Sequence, residues 1–212
     1  MLSILFPNKL LNILLRYGTN ASALLWALYA LVSHPEMQTR LRNEIRHVLK
    51  SSKEICTYQL MDAMTYLHWF VMENSRFYPS IPGNWREAVA ATSICGQSIA
   101  KGQQIITPAF AINRSKVAWG EDAEEFIPER WAPERLRKGV EHDGSLMTYS
   151  VGHKSCIGKE YSLRAIKVVL IALIGTFEFE YHGPDPLKIL VPGLTLRPRG
   201  GLHRMVKKGT DW

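Results

Sequence analysis

The run Tyr149-Ser150-Val151-Gly152-His153-Lys154-Ser155-Cys156-Ile157-Gly158 carries one of three cysteines in the 212-residue chain, and a helical pattern begins directly after it. A thiolate is a soft ligand for a transition metal, but it has to be kept deprotonated. Gly152 and Gly158 let the backbone fold closely around the sulfur, so that amide N–H groups can hydrogen-bond to it. The positive end of the following helix adds to that stabilisation, and Lys154 supplies a cation two residues away. Taken alone, Cys156 has two other readings. One is an inert buried thiol, as most free cysteines are; the other is a nucleophile activated by His153, for which no third orienting group is identifiable.

Further chemistry-bearing residues are spread along the chain. Glu73 and Arg76 stand one helical turn apart, a spacing that most often gives an exposed i, i+3 pair. If buried, a carboxylate and a guanidinium must be paired and hydrogen-bonded. Arg86 follows Arg76 by ten residues. Thr19 lies in Arg16-Tyr17-Gly18-Thr19-Asn20, a polar interruption of an apolar helix in which Gly18 costs roughly 1 kcal/mol against Ala. Cys56, Cys95 and Cys156 are an odd number with no C-x-x-C pair, which supports neither a disulfide framework nor a zinc site. The net charge of +7 and pI of about 9.4 suit an acidic partner or membrane surface. The Lys and Arg residues form no single block, so nucleic acid is not expected as a partner.

The elements that must position these residues are mainly helical. Apolar residues recur at helical spacing over 9–33; Ser33-His34-Pro35 stops and restarts the helix, with Ser33 as a cap and Pro35 in the first turn. A second helix spans 35–50, with Met37, Leu41, Ile45 and Val48 on one side, and a third spans 59–78, ended by Pro79 and Pro82. Residues 86–106 read as a small antiparallel hairpin region with turns at Gly96-Gln97 and Lys101-Gly102. Loop dominates 113–148, and a long irregular stretch is more often functional than idle. A fourth helix spans 159–176, with Leu163, Ile166, Val169, Leu170 and Leu173 inside, and residues 177–207 hold short strands near Phe177–Tyr181, Leu194–Leu196 and Leu202–Val206. The apolar stretches at the N-terminus are interrupted by Pro7, Asn8, Lys9, Asn12 and Arg16, well short of a membrane span, and no export signal is present.

The 149–158 segment resembles the F-x-x-G-x-R-x-C-x-G haem-binding signature of the cytochrome P-450 family, with Tyr149 in place of Phe and Lys154 in place of Arg. Glu73-Asn74-Ser75-Arg76 looks like the family's E-x-x-R, and Pro128-Glu129-Arg130-Trp131 like its later P-E-R motif. The helix over 9–33 resembles the helix that crosses the oxygen-binding face of the haem: anchored on Trp26-Ala27-Leu28-Tyr29 and His34-Pro35-Glu36, Thr19 falls on the family threonine. Gly18 then stands where the family has an acid, and Leu15-Arg16 where it has a small residue and Gly. The run Leu194 to Leu202 looks like the C-terminal hairpin common in fungal members.

The resemblance implies one partial domain, the C-terminal half of the cytochrome P-450 fold, mainly α with small antiparallel β-sheets. It implies haem b (iron protoporphyrin IX) with Cys156 as axial ligand of the iron. Tyr149, Gly152, Lys154 and Gly158 would form the haem-binding loop, and Arg86 and Lys154 would serve the propionates. Glu73, Arg76 and Arg130 would form the structural triad, and Thr19 the catalytic position. The implied activity is a monooxygenase that inserts one oxygen atom of dioxygen into a small apolar organic substrate. Electrons would come from an NADPH-dependent reductase or similar redox partner docking near Lys154, Lys159 and Arg164. A full-length relative would work at the cytosolic face of the endoplasmic reticulum membrane, whereas nothing in this chain is expected to anchor it. The family's chain is longer, so a truncated gene model or a fragment is expected. Two rivals remain open: a haem-thiolate isomerase or dehydratase that uses no dioxygen, which Gly18 would suit, and a non-catalytic haem-binding remnant.

Overall fold

The computed structural model describes residues 5–136, 146–181, 189–190, 194–198 and 204–208. Its core is a set of packed helices. Helix α1 (Leu5–Ser33) presents Ala23, Trp26, Ala27, Ala30 and Leu31 as one buried stripe at the i, i+3, i+4 spacing, the pattern that seats a helix against a core. It runs unbroken through Arg16 to Asn20 despite Gly18. The cap expected at Ser33 is not used: α1 includes Ser33, and His34 makes the break, with its Nδ1 2.9 Å from the Ala30 carbonyl oxygen. Pro35, which has no N–H to leave unsatisfied, opens α2 (Pro35–Val48).

The single helix expected over 59–78 is two: α3 (Tyr58–Ala63) and α4 (Thr65–Phe77), parted at Met64. The cause lies on another helix. Glu44 of α2 accepts from the backbone N–H groups of Tyr66 at 2.7 Å and Leu67 at 2.8 Å, capping α4 with a carboxylate at its positive end. Residues 84–107 form two nested antiparallel pairs. The outer pair joins β1 (Asn84–Glu87) to β4 (Gln104–Thr107), and the inner joins β2 (Thr92–Ile94) to β3 (Gln97–Ile99). The inner turn falls on Cys95-Gly96, both at positive φ, one residue earlier than expected.

Helix α5 (Ala109–Ile112) precedes the stretch expected to be loop, whose described residues include two short helices, α6 (Lys116–Trp119) and α7 (Pro133–Leu136), besides a 3-10 turn at Pro128–Trp131. Two more 3-10 turns, Met147–Tyr149 and Gly152–Lys154, lead to α8 (Lys159–Thr176). Leu163, Ile166 and Leu170 of α8 are buried, but Val169, expected inside, is exposed because the packed stripe runs through Leu163, Ile166, Lys167, Leu170 and Ile174. Arg42 and Arg46 of α2 donate to the carbonyls of Ile174, Gly175 and Phe177, closing the C-terminal end of α8.

The tail pairs β5 (Phe177–Tyr181) with β8 (Arg204–Lys208), and β6 (Ile189–Leu190) with β7 (Arg197–Pro198). The strand expected at Leu194–Leu196 starts later. Leu196 instead crosses α1: its carbonyl accepts from Ser22 Oγ at 2.7 Å and Trp26 Nε1 at 3.2 Å, and its N–H donates to the Ser80 carbonyl. Among the described residues no helix is long and apolar enough to cross a membrane.

Candidate functional site

A cavity of about 680 Å³ opens between α1, the C-terminal end of α4 and the loop that leads into α8. Thr19 and Asn20 line it from the middle of α1. Tyr149, Lys154, Cys156 and Gly158 line it from the loop, and Arg86 from β1. Cys156 is exposed, which removes the reading of an inert buried thiol. Its N–H donates to the Tyr149 carbonyl at 2.8 Å, folding the loop back on itself. A Cβ at Gly158 would stand 3.8 Å from the sulfur, an ordinary contact distance, so Gly158 adjoins the sulfur without a steric demand for glycine. Gly152 has φ +69 with open space around it; backbone conformation, not crowding, selects glycine there. Ser150 holds φ 58 and ψ 177, a region nearly reserved to glycine that costs about 1–3 kcal/mol. Arg86 Nη2 donates to Ser150 Oγ at 3.2 Å.

Helix α8 begins three residues after Cys156, its first turn carrying Lys159 and Glu160. Lys154 is exposed at the cavity, and Lys159 Nζ lies 5.9 Å from the centre of the Tyr149 ring. Tyr149 is half-buried as a residue; burial of its hydroxyl pushes the pKa up, partly offset by hydrogen bonds to Ser75 and Ser162.

Behind the loop stands a buried polar group. Arg76 donates through Nη2 to Glu73 Oε1 at 2.7 Å and through Nε to Oε2 at 2.8 Å, and both side chains are fully buried. Arg130 Nε lies 3.5 Å from Glu73 Oε1, within ion-pair reach but without an aligned hydrogen bond. The three side chains are thus brought together although Arg130 is remote in sequence. Glu73 also accepts from the Ile127 N–H at 2.9 Å and Trp131 Nε1 at 3.0 Å. Arg76 Nη1 reaches the carbonyls of Asn113 and Ala123, and Nη2 that of Glu125. Such saturation is what a buried ion pair requires to offset its desolvation.

Sequence reasoning missed Asp122, Asn113, Ser162 and Asn20. Asp122 Oδ1 accepts from Arg130 Nη1 at 2.7 Å. Burial alone would raise its carboxyl, but Arg130 and then Arg135 hold it below the usual carboxylate range. Asn113, fully buried, donates to the Arg76 carbonyl and to Thr148 Oγ1, and accepts from the Met147 N–H, joining α4 to the cysteine loop. Ser162 Oγ donates to Asn20 Oδ1 at 2.7 Å. None of these four has a local pattern that marks it, since each acquires its role from a partner remote in the chain.

The donor set fits a group that brings most of its own ligands. Among the described residues no three His, Cys, Asp or Glu side chains converge on one point, whereas one exposed thiol faces a mixed apolar and polar cavity with Arg86 and Lys154 beside it. One soft protein donor beside a cavity that also carries cations is a donor set that a haem-thiolate group would fit. The description of the cytochrome P450 family matches residues 17–205 of the chain, and the chain belongs to that family. It is 35% identical over 193 residues to cytochrome P450 monooxygenase sphH of Aspergillus fumigatus, covering 88% of this chain and 35% of that protein. It is 33% identical to cytochrome P450 4A10 of Rattus norvegicus (91% and 36%) and 33% identical to taurochenodeoxycholic 6 alpha-hydroxylase of Sus scrofa (91% and 37%). The chain therefore spans little more than a third of the length of these relatives.

Proposed function

We propose that this chain carries the haem-binding part of a haem-thiolate monooxygenase, with Cys156 as axial ligand of the iron of haem b. The observation that carries the reading is that Cys156, at the start of α8, and Thr19, at the middle of α1, line one cavity together with Arg86 and Lys154. When bound, a thiolate-held haem supplies dioxygen cleavage and transfer of one oxygen atom to a small apolar organic substrate, with electrons from an NADPH-dependent reductase. Cys156 is exposed at the cavity, which leaves its sulfur accessible to the group it would hold. Arg86 and Lys154 hold the propionates, and Glu73, Arg76 and Arg130 brace the polypeptide behind the loop. The Thr19 hydroxyl holds a water on the opposite side of the cavity. Exposed Lys154 and Lys159 face the redox partner; Arg164 is partly committed to Asp62, at 3.8 Å, and to the Tyr58 ring. The names of two relatives, a monooxygenase and a hydroxylase, support the reaction class. For a full-length relative the reading carries with it the cytosolic face of the endoplasmic reticulum membrane as place of action.

One observation favours a second reading: Gly18 stands where the family threonine is preceded by an acid, and it has no proton to donate. A haem-thiolate isomerase or dehydratase without dioxygen use suits that replacement. NADPH-driven dioxygen uptake with a reductase separates the two readings.

The ligand itself is tested on the haem-loaded chain. The ferrous carbonyl form is expected to give a Soret band well to the red of histidine-ligated haem. Cys156→Ser abolishes that band even if apolar contacts retain some haem, whereas Cys56→Ser and Cys95→Ser leave it in place. A red-shifted band that survives in Cys156→Ser would sink the assignment.

A further inference from the structure

Among the described residues the buried stripe of α1 begins at Ser22 and Ala23, whereas Gly18, Thr19, Asn20 and Ala21 are only half-buried. Packing therefore seats the second half of α1 more firmly than the turn that carries Thr19, and Gly18 adds no side chain to hold that turn. Two remote segments supply hydrogen bonds there. Ser80, beyond the end of α4, donates its hydroxyl proton to the Thr19 carbonyl at 2.9 Å. The Ser80 carbonyl accepts the Leu196 N–H at 2.9 Å, and the Leu196 carbonyl accepts from Ser22 Oγ at 2.7 Å and from Trp26 Nε1 at 3.2 Å. Thr19 and Ser22 share one turn of α1, so the path closes: Thr19, Ser80, Leu196, Ser22 and back along the helix.

The ring is built where water cannot replace it. Ser22, Trp26 and Leu196 are each no more than 2% exposed, so a lost partner leaves a buried polar group unpaired. A serine inside a helix commonly bonds back to its own preceding turn; Ser22 instead donates out of α1 to the tail. Apolar contact presses the same elements together, because Tyr78, two residues before Ser80, stacks on the Trp26 ring with 4.7 Å between centres. The tail also passes Gly18, where an added Cβ would lie 4.0 Å from Thr195 Cγ2. Of the ring, Thr19 and Ser80 line the cavity, whereas Ser22 is buried and does not line it. The bond from Ser162 to Asn20 Oδ1 is a separate tie, made from α8 to the side chain of the next residue.

We propose that Ser80 and Ser22 are positioning residues: joined through the Leu196 peptide groups, they fix the turn of α1 that bears Thr19 on the wall of the cavity it shares with Cys156. Ser80 acts on the Thr19 backbone directly, and Ser22 acts through Leu196. The bearing of that placement on an iron-bound ligand rests on the haem-thiolate reading; the ring itself does not.

The test uses the full chain in two measurements. In urea unfolding without haem, Ser80→Ala and Ser22→Ala are made singly and together. Because both bond to Leu196, the double variant's unfolding constant should depart from the product of the single effects by about twofold or more. Ser80→Ala combined with Thr39→Ala, on the exposed face of α2, should simply multiply. Independent effects of Ser80 and Ser22 overturn the ring. If Ser22→Ala does not fold, Ser22→Cys, a weaker donor in the same place, enters the cycle instead. In the second measurement, infrared spectra of carbon monoxide on the haem-loaded ferrous chain should show the C–O stretch shifted or broadened in Ser80→Ala and also in Ser22→Ala. Ser80→Thr, which keeps the hydroxyl, should restore it, and Thr39→Ala should leave it unchanged. The Ser22 arm decides, since a residue that does not line the cavity can reach the bound gas only through the turn it positions. A stretch altered in Ser80→Ala alone would mean direct contact, and an identical stretch in every variant would leave a stabilising strut; either overturns the positioning role. A wild-type chain that gives no red-shifted carbonyl band fails the haem-thiolate reading separately, and the unfolding cycle still decides the ring.

Discussion

Glu73 shows how much one side chain can be made to hold. Its two carboxylate oxygens take hydrogen bonds from Arg76, from the Ile127 N–H and from Trp131, with Arg130 in ion-pair reach. No solvent is available to replace any of them, since Glu73 and Arg76 are both fully buried. Glu73→Gln keeps the shape but leaves the Arg76 charge without a counter-ion, and removing one partner of a buried pair costs about 3–5 kcal/mol. Urea unfolding of the full chain is expected to show a loss of that size; a change below about 1 kcal/mol would contradict the buried-pair account. The pair could be read from the sequence as two residues one turn apart. Their burial could not, because the acceptors that saturate Arg76 come from Asn113, Ala123 and Glu125.

At the scale of elements, the stretch 120–136 is held by charge as much as by packing. Asp122 accepts from Arg130 of the 3-10 turn at 2.7 Å and from Arg135 of α7 at 3.3 Å. Its carboxyl is held below its ordinary value by Arg130 and Arg135 against the opposing effect of burial. The folded state therefore prefers the ionised form. The resulting stabilisation is fully present above the unfolded value of about 4 and is lost as the pH falls through the lower folded value. Asp122→Asn is expected to lower stability at neutral pH and to flatten the decline in thermal midpoint on going from pH 5 to pH 2. An unchanged acid limb would assign that decline to other carboxylates. Elements also show where periodicity misleads. The apolar pattern of 59–78 is continuous, yet Glu44 of α2 caps a new helix inside it, and Val169 satisfies the apolar period of α8 while lying at the edge of the buried stripe, 36% exposed.

For the molecule as a whole, the cavity opens beside α1, α4 and α8, which also pack directly on one another. Any group that binds the folded chain and not the unfolded one shifts the unfolding equilibrium by mass action, by about 2.7 kcal/mol at a hundredfold excess over its dissociation constant. Haem is expected to raise the thermal midpoint of the full chain in a concentration-dependent way, and Arg86→Ala to weaken the rise by removing a cation from the cavity. A midpoint indifferent to haem would deny binding to the folded state. Exposed apolar residues of the loop and α8, Ile157 and Tyr161, line the same cavity, so occupancy would also shield surface that is now in water.

The cysteine between its glycines, the helix after it, the order of the Glu-Arg and Pro-Glu-Arg motifs and the helical character of the chain were determined by the sequence alone. Each rests on spacing within a few residues, where covalent connectivity fixes which groups can meet. Leu163, Ile166 and Leu170 follow the same local logic on α8. Tertiary structure alone decided that Thr19 and Cys156 share one cavity, that Arg130 is bound to Asp122 as well as near Glu73, that Asn113 braces the cysteine loop, and that Ser162 meets Asn20. Those pairings lie from 8 to 142 residues apart in the chain. They form because burial leaves a polar group no partner but the one that packing brings to it.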